Sequence, residues 1–123
     1  MDRRLSSVKL LGADYPLCFS IRASRLLGEI GEAKKDATIQ EDYERTIKML
    51  AILLNAGADY AEINGVPVDR RFTEEELEAI VAPADMADIT KAVNDALKRG
   101  LNREVDVKPS KNAKSAAGGT KAG

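Results

Sequence analysis

From Gln40 to Ala56 the apolar residues recur at helical spacing, and they do not keep to one side. Tyr43, Ile47, Leu50 and Leu54 form one stripe, while Met49, Ile52 and Leu53 fill the remaining directions. A helix that is apolar almost all round in its C-terminal half needs partners on several sides. It is therefore read as the central helix of a core with Leu50 inside, in preference to a helix with one side reserved for another protein. The chain has 123 residues, 44% of them apolar, which suits one modest core and would starve two. Aromatic residues make up 4% and Trp is absent, so that core must come mainly from Leu, Ile, Val, Ala and Met, a composition that favours helix.

Leu53 to Asp59, LLNAGAD, is how the second helix of an ankyrin repeat usually ends. An ankyrin unit of roughly 33 residues needs about three stacked copies to bury its face, and neither Ala23-Ser24-Arg25 nor Thr90-Lys91-Ala92, one period away on either side, repeats the pattern. The stretch is read instead as a helix that closes on Gly57, with glycine taking the left-handed conformation of a C-cap.

Around this helix the chain predicts short elements. Residues 4 to 20 form a β-hairpin, with Leu5, Val8 and Leu10 in one arm, Gly12-Ala13-Asp14 as the turn, and Tyr15, Leu17 and Phe19 alternating in the other. Pro16 lacks a ladder donor and places that arm at an edge or its start at the turn; an exposed edge can dock another strand, although edges are more often merely protected. Ser20 caps a first helix with Ile21, Leu26, Leu27 and Ile30 on one side, weakened by Gly28 and stopped by Gly31; Glu32 to Thr38 is a linker. Tyr60 to Ile63 adds a short turn before Asn64-Gly65, and a connector runs from Val66 to Phe72. Thr73-Glu74-Glu75-Glu76 is a capping box opening a helix with Leu77, Ile80 and Val81. Pro83 ends that helix and opens the last one, which places Met86, Ile89, Val93, Ala96 and Leu97 on one face and stops at Gly100 after Lys98 and Arg99. The expected fold is mainly α, a small domain of about four helices with an N-terminal β-hairpin.

Formal charge is −1, from 19 basic and 20 acidic residues, but the distribution is uneven. Four of the basic residues, Lys108, Lys111, Lys114 and Lys121, follow the last acid, Asp106, so the segment from Lys108 carries +4 and the remainder −5. That segment, KPSKNAKSAAGGTKAG, holds no large apolar residue and cannot offset the entropy cost of folding. The chain divides accordingly into a folded domain at 1–107 and a disordered Lys/Gly/Ala-rich tail at 108–123. One cysteine, Cys18, excludes an intrachain disulfide, and neither a signal-peptide run nor a spanning helix stands out, which points to a cytoplasmic protein.

Little in the chain suggests catalysis. Histidine is absent, so Cys18 has no imidazole to make it a thiolate. Glu74, Glu75, Glu76 and Glu78 point in different directions on a helix and are read as acids suited to its positive end, with no metal or cofactor implied. Gly118-Gly119-Thr120-Lys121 lacks the spacing of a phosphate loop. The last two helices could pass for a helix-turn-helix, but Asp85 and Asp88 would then face phosphate at the reading end. No catalytic residue is assigned, and a binding or assembly protein remains.

Three stretches carry a resemblance: Tyr15-Pro16-Leu17-Cys18-Phe19-Ser20-Ile21-Arg22-Ala23, the helix Met49 to Ala58, and the closing pair from Phe72-Thr73-Glu74-Glu75-Glu76-Leu77 to Leu97. Over most of residues 4 to 105 the chain resembles the tail assembly chaperones of long-tailed bacteriophages (siphophages) and prophages. The resemblance implies a protein of the bacterial host cytoplasm that coats the tape-measure protein, the long helical ruler of the tail, and keeps it soluble until tail-tube subunits polymerise around it. It also implies contact with the tail-tube protein through a longer, frameshifted form, for which the Lys- and Gly-rich end would be the tether, and it is compatible with self-association. It assigns no partner-binding residues. The alternative from another class is a small nucleic-acid-binding or regulatory protein acting through the +4 tail, which the −5 body disfavours.

Overall fold

The computed structural model describes residues 3–102. In chain order these form β1 (Leu5–Leu10), β2 (Ala13–Cys18), α1 (Ile21–Ile30), α2 (Ile39–Ile63), α3 (Glu74–Ile80), a 3-10 turn (Pro83–Asp85) and α4 (Met86–Leu101). The fold is mainly α with an N-terminal antiparallel hairpin. The tail assigned to 108–123 and the last residues of the domain assigned to 1–107 lie outside the described residues.

The hairpin turns one residue earlier than its sequence suggests. Leu11 and Gly12 both take positive φ, 51° and 83°, the two-residue type I′ geometry that matches the strand twist. Ala13 and Asp14 are thereby freed to pair with Leu10 and Lys9. In this register Ser6, Val8 and Leu10 are the buried residues of β1, and Leu5 belongs to the other face. Ser6 is tolerated inside because its hydroxyl donates to the Ala92 carbonyl at 3.1 Å.

α2 is the axle of the molecule. It opens with a capping box, Thr38 accepting the Glu41 N–H at 3.0 Å while the Glu41 carboxylate accepts the Thr38 N–H at 2.9 Å. It then runs straight through Gly57, correcting the expected stop there. The true end is a Schellman arrangement around Gly65, φ 82°, with the Gly65 N–H bonded to the Glu62 carbonyl and that of Val66 to Ala61. Glycine inside a helix costs about 1 kcal/mol against alanine. It stands here because β2 crosses at this point: a Cβ on Gly57 would overlap the Pro16 carbonyl oxygen. Ile47, Leu50, Leu53, Leu54, Ala56 and Ala58 are buried around the helix, against the hairpin, α1, α3 and α4.

The shorter helices follow local chemistry. Ser20 caps α1 by accepting the Ala23 N–H at 3.2 Å, and Gly31, φ 83°, ends it. Ala23 is the buried residue of α1 and Leu27, four residues on, packs against the core; Ile21 stands off that line and is 89% exposed, contrary to its expected place on the apolar side. The Thr73 hydroxyl accepts the Glu76 N–H at 3.1 Å and Glu76 accepts the Thr73 N–H at 2.9 Å, which opens α3 and buries Leu77 fully. Phe72, just before it, meets the Tyr15 ring edge-on at 5.0 Å. Met86, Ile89, Val93 and Ala96 form the buried face of α4. That helix passes its expected stop at Gly100 and ends at Leu101, because Gly100 is where Phe19 packs: an added Cβ would lie 2.6 Å from the Phe19 Cβ.

Candidate partner-binding surfaces

Cys18, Glu76 and Asp85, among the residues weighed for chemistry, are occupied with folding. Cys18 is a buried thiol at the end of β2. Glu76 is held by the Thr73 cap and by the Arg70 guanidinium at 3.0 Å. The backbone N–H of Thr73, then the charge of Arg70, keep its carboxyl below the ordinary 4.5. Asp85 accepts the Ala82 N–H at 2.9 Å where the 3-10 turn begins. Among the described residues, no group of three or more His, Cys, Asp or Glu is placed to hold a metal ion, and no helix is long and apolar enough to cross a membrane.

Two surface features stand out. The first is a groove of about 430 Å³ where the start of α1 meets the last turns of α2, floored by Cys18 and Ala56 and walled by Ile21, Tyr60 and Ile63. Ile21 is 89% and Ile63 86% exposed, an unusual placing for two β-branched apolar side chains on one concavity. Charge surrounds them. Asp59 on α2 accepts from Arg22 of α1 at 3.3 Å and from Arg71 of the connector at 2.8 Å, and Arg71 also reaches Glu62 at 3.3 Å and the Asn55 side-chain oxygen at 2.7 Å. Exposed pairs of this kind contribute at most about 1 kcal/mol each. Their joint effect is to fix α1, the end of α2 and the connector relative to one another around the apolar pair.

The second feature is the groove of about 710 Å³ between β1 and α4, bordered by Ser7 on one side and by Asp88, Lys91 and Lys98 on the other. Asp95 faces it too, bound by Arg99 at 2.7 Å; that hydrogen bond holds the Asp95 carboxyl below its ordinary 3.8 against the opposing effect of burial. Arg99 also donates to the Arg3 carbonyl at 3.1 Å, fastening the end of α4 to the start of β1.

The sequence alone assigned neither surface. Ile21 was expected on the core side of α1 and Ile63 in a separate turn, and only the continuation of α2 past Gly57 brings Ile63 round to α1. The available signal was that Ile63 continues the line of Leu53, Ala56 and Tyr60 at helical spacing, while Ile21 lies off the line of Ala23 and Leu27. Comparison with protein-family models, with curated proteins and with solved structures gives no match to this chain.

Proposed function

We propose that this protein is a tail assembly chaperone of a long-tailed phage or prophage, and that it holds an apolar helical segment of the tape-measure protein in the groove between α1 and α2. The observation that carries the proposal is the pairing of Ile21 and Ile63, both exposed, on one groove with a charged rim. An amphipathic helix laid into such a groove buries its apolar face there and leaves its polar face to water. The order of elements, a hairpin followed by helices around a central apolar one, supports the same reading through the resemblance drawn from the sequence. On this account the protein is not an enzyme, acts in the host cytoplasm, and passes its client to tail-tube subunits, which a longer frameshifted form recruits.

A holder must also let go. Full burial of one isoleucine contributes about 1.5 to 3 kcal/mol, so the two anchors supply about 3 to 6 of the roughly 8 kcal/mol of a micromolar contact, with occupancy raised by many adjacent sites on a long client. The test is to titrate the purified chain with labelled helical peptides tiled along the tape-measure protein encoded beside it. At least one peptide should bind, and Ile21→Asp/Ile63→Asp should weaken that binding thirty-fold or more while leaving the melting temperature nearly unchanged. Equal binding by the double variant contradicts this use of the groove.

A further inference from the structure

The groove between α1 and α2 has walls of opposite charge. On the α1 side the exposed Ile21 is followed by Arg22, with the exposed Arg25 one turn further on; on the α2 side the exposed Ile63 is preceded by Glu62, with Asp59 one turn earlier. Arg22 reaches Asp59 at 3.3 Å and its side chain stays 69% exposed. Arg71, which stands outside the groove's lining, binds Asp59 and Glu62, yet the Glu62 side chain stays 68% exposed. Two arginines on one wall therefore face two acids answered by one arginine on the other.

A surface with an apolar centre, a positive wall and a negative wall is complementary to itself under a two-fold rotation, because a contact of one residue with another is repeated in reverse across the axis. We propose that in the free protein this groove is covered by a second copy of the chain, the Ile21–Arg22 rim of each copy lying against the Glu62–Ile63 rim of the other. The pairing brings Arg22 of each copy to Glu62 of the other and takes the exposed isoleucines of both out of water. Any other partner would have to supply the same two signs in the same order. A second copy presents them by symmetry.

Two helix ends make a small contact, which belongs with weak and reversible interfaces of roughly 1,200 Å² or less. Its walls are already held in place by the Arg22–Asp59 and Arg71–Asp59 pairs, so little ordering is needed to form it. Pairing and client would use the same two isoleucines and so exclude one another: the free protein keeps its apolar pair covered until a longer helix displaces the second copy. That competition rests on the client reading proposed above, whereas the pairing itself does not.

The test is sedimentation equilibrium of the full chain between about 10 µM and 1 mM, a span that captures weak association. The mass should rise with concentration from one chain toward two and stop there, since a two-fold contact closes on itself. Arg22→Glu alone and Glu62→Lys alone each set like charges at both contacts and should weaken pairing at least tenfold. An equimolar mixture of these two variants should pair to within threefold of the unmodified chain, because each brings the sign that the other now meets. A lesion in the fold would not be rescued by mixing. No client is present, so failure here leaves the client reading standing, and a client peptide that does not bind leaves the pairing standing. A chain that stays single throughout, a mass that climbs past two copies, variants that stay apart when mixed, or pairing that survives Ile21→Asp/Ile63→Asp overturns the proposal.

Discussion

The carbonyl oxygen of Pro16 occupies the space where a side chain on Gly57 would begin. This one approach sets the distance between the hairpin and α2 and explains a glycine in mid-helix. Gly57→Ala should therefore destabilise the protein although alanine is the better helix former, because the obstruction is backbone that cannot swing aside. The expected loss is about 2 kcal/mol, a fall in melting temperature on the order of 10 °C. Gly28→Ala is the control: it is also within a helix but has open space where the Cβ would go, so it should gain about 0.5 to 1 kcal/mol. Thermal melts of the two variants should move in opposite directions; a shared direction would sink this account of Gly57.

Leu50 is fully buried at the centre of the core. Leu50→Asp places an unpaired carboxylate there at a cost of roughly 3 to 5 kcal/mol, enough to unfold a domain of this size. Circular dichroism should show loss of the cooperative melt. A variant that keeps its melt and only loses a partner would make the Leu50 side of α2 a binding surface.

The difference between what could and could not be read from the chain is one of distance along it. Ser20 and the Thr73–Glu76 box act on donors three residues away, so their roles were legible directly. Gly57 and Gly100 read as helix ends in the sequence because a glycine after an apolar run looks the same whether it terminates a helix or admits a neighbour. Their partners, Pro16 and Phe19, lie in the hairpin arm and its exit. The Ile21–Ile63 groove was hidden for the same reason, since it exists only once α2 continues and α1 folds back against it.

Acid should weaken the fold through its caps. The carboxyls of Glu41 and Glu76 are held below the ordinary 4.5, chiefly by the N–H groups of Thr38 and Thr73, and Asp95 is held low by Arg99. A carboxyl whose folded value is depressed stabilises the protein above its unfolded value, and that stabilisation is lost as pH falls through the folded one. Glu76→Gln should accordingly melt below the unmodified protein at neutral pH, with the gap closing as pH drops under about 4. A gap of constant size across that range would show that the Glu76 charge adds nothing to the cap.

Binding to a generic DNA duplex at physiological salt should be weaker than about 100 µM. Asp88 stands among the lysines of the β1–α4 groove, and Arg99 is engaged by Asp95, so few cations there are available to phosphate. A micromolar complex whose affinity falls steeply with salt would favour the nucleic-acid reading.

The most direct measurement of the chaperone reading is co-expression with a tape-measure protein, which that reading requires to be encoded beside this chain, scored by soluble yield of that client and by the number of copies bound per client. The account predicts that the client is insoluble alone, soluble with the unmodified chain and loaded with many copies, and insoluble again with Ile21→Asp/Ile63→Asp. A client equally soluble alone, or still insoluble beside the unmodified chain, would contradict it.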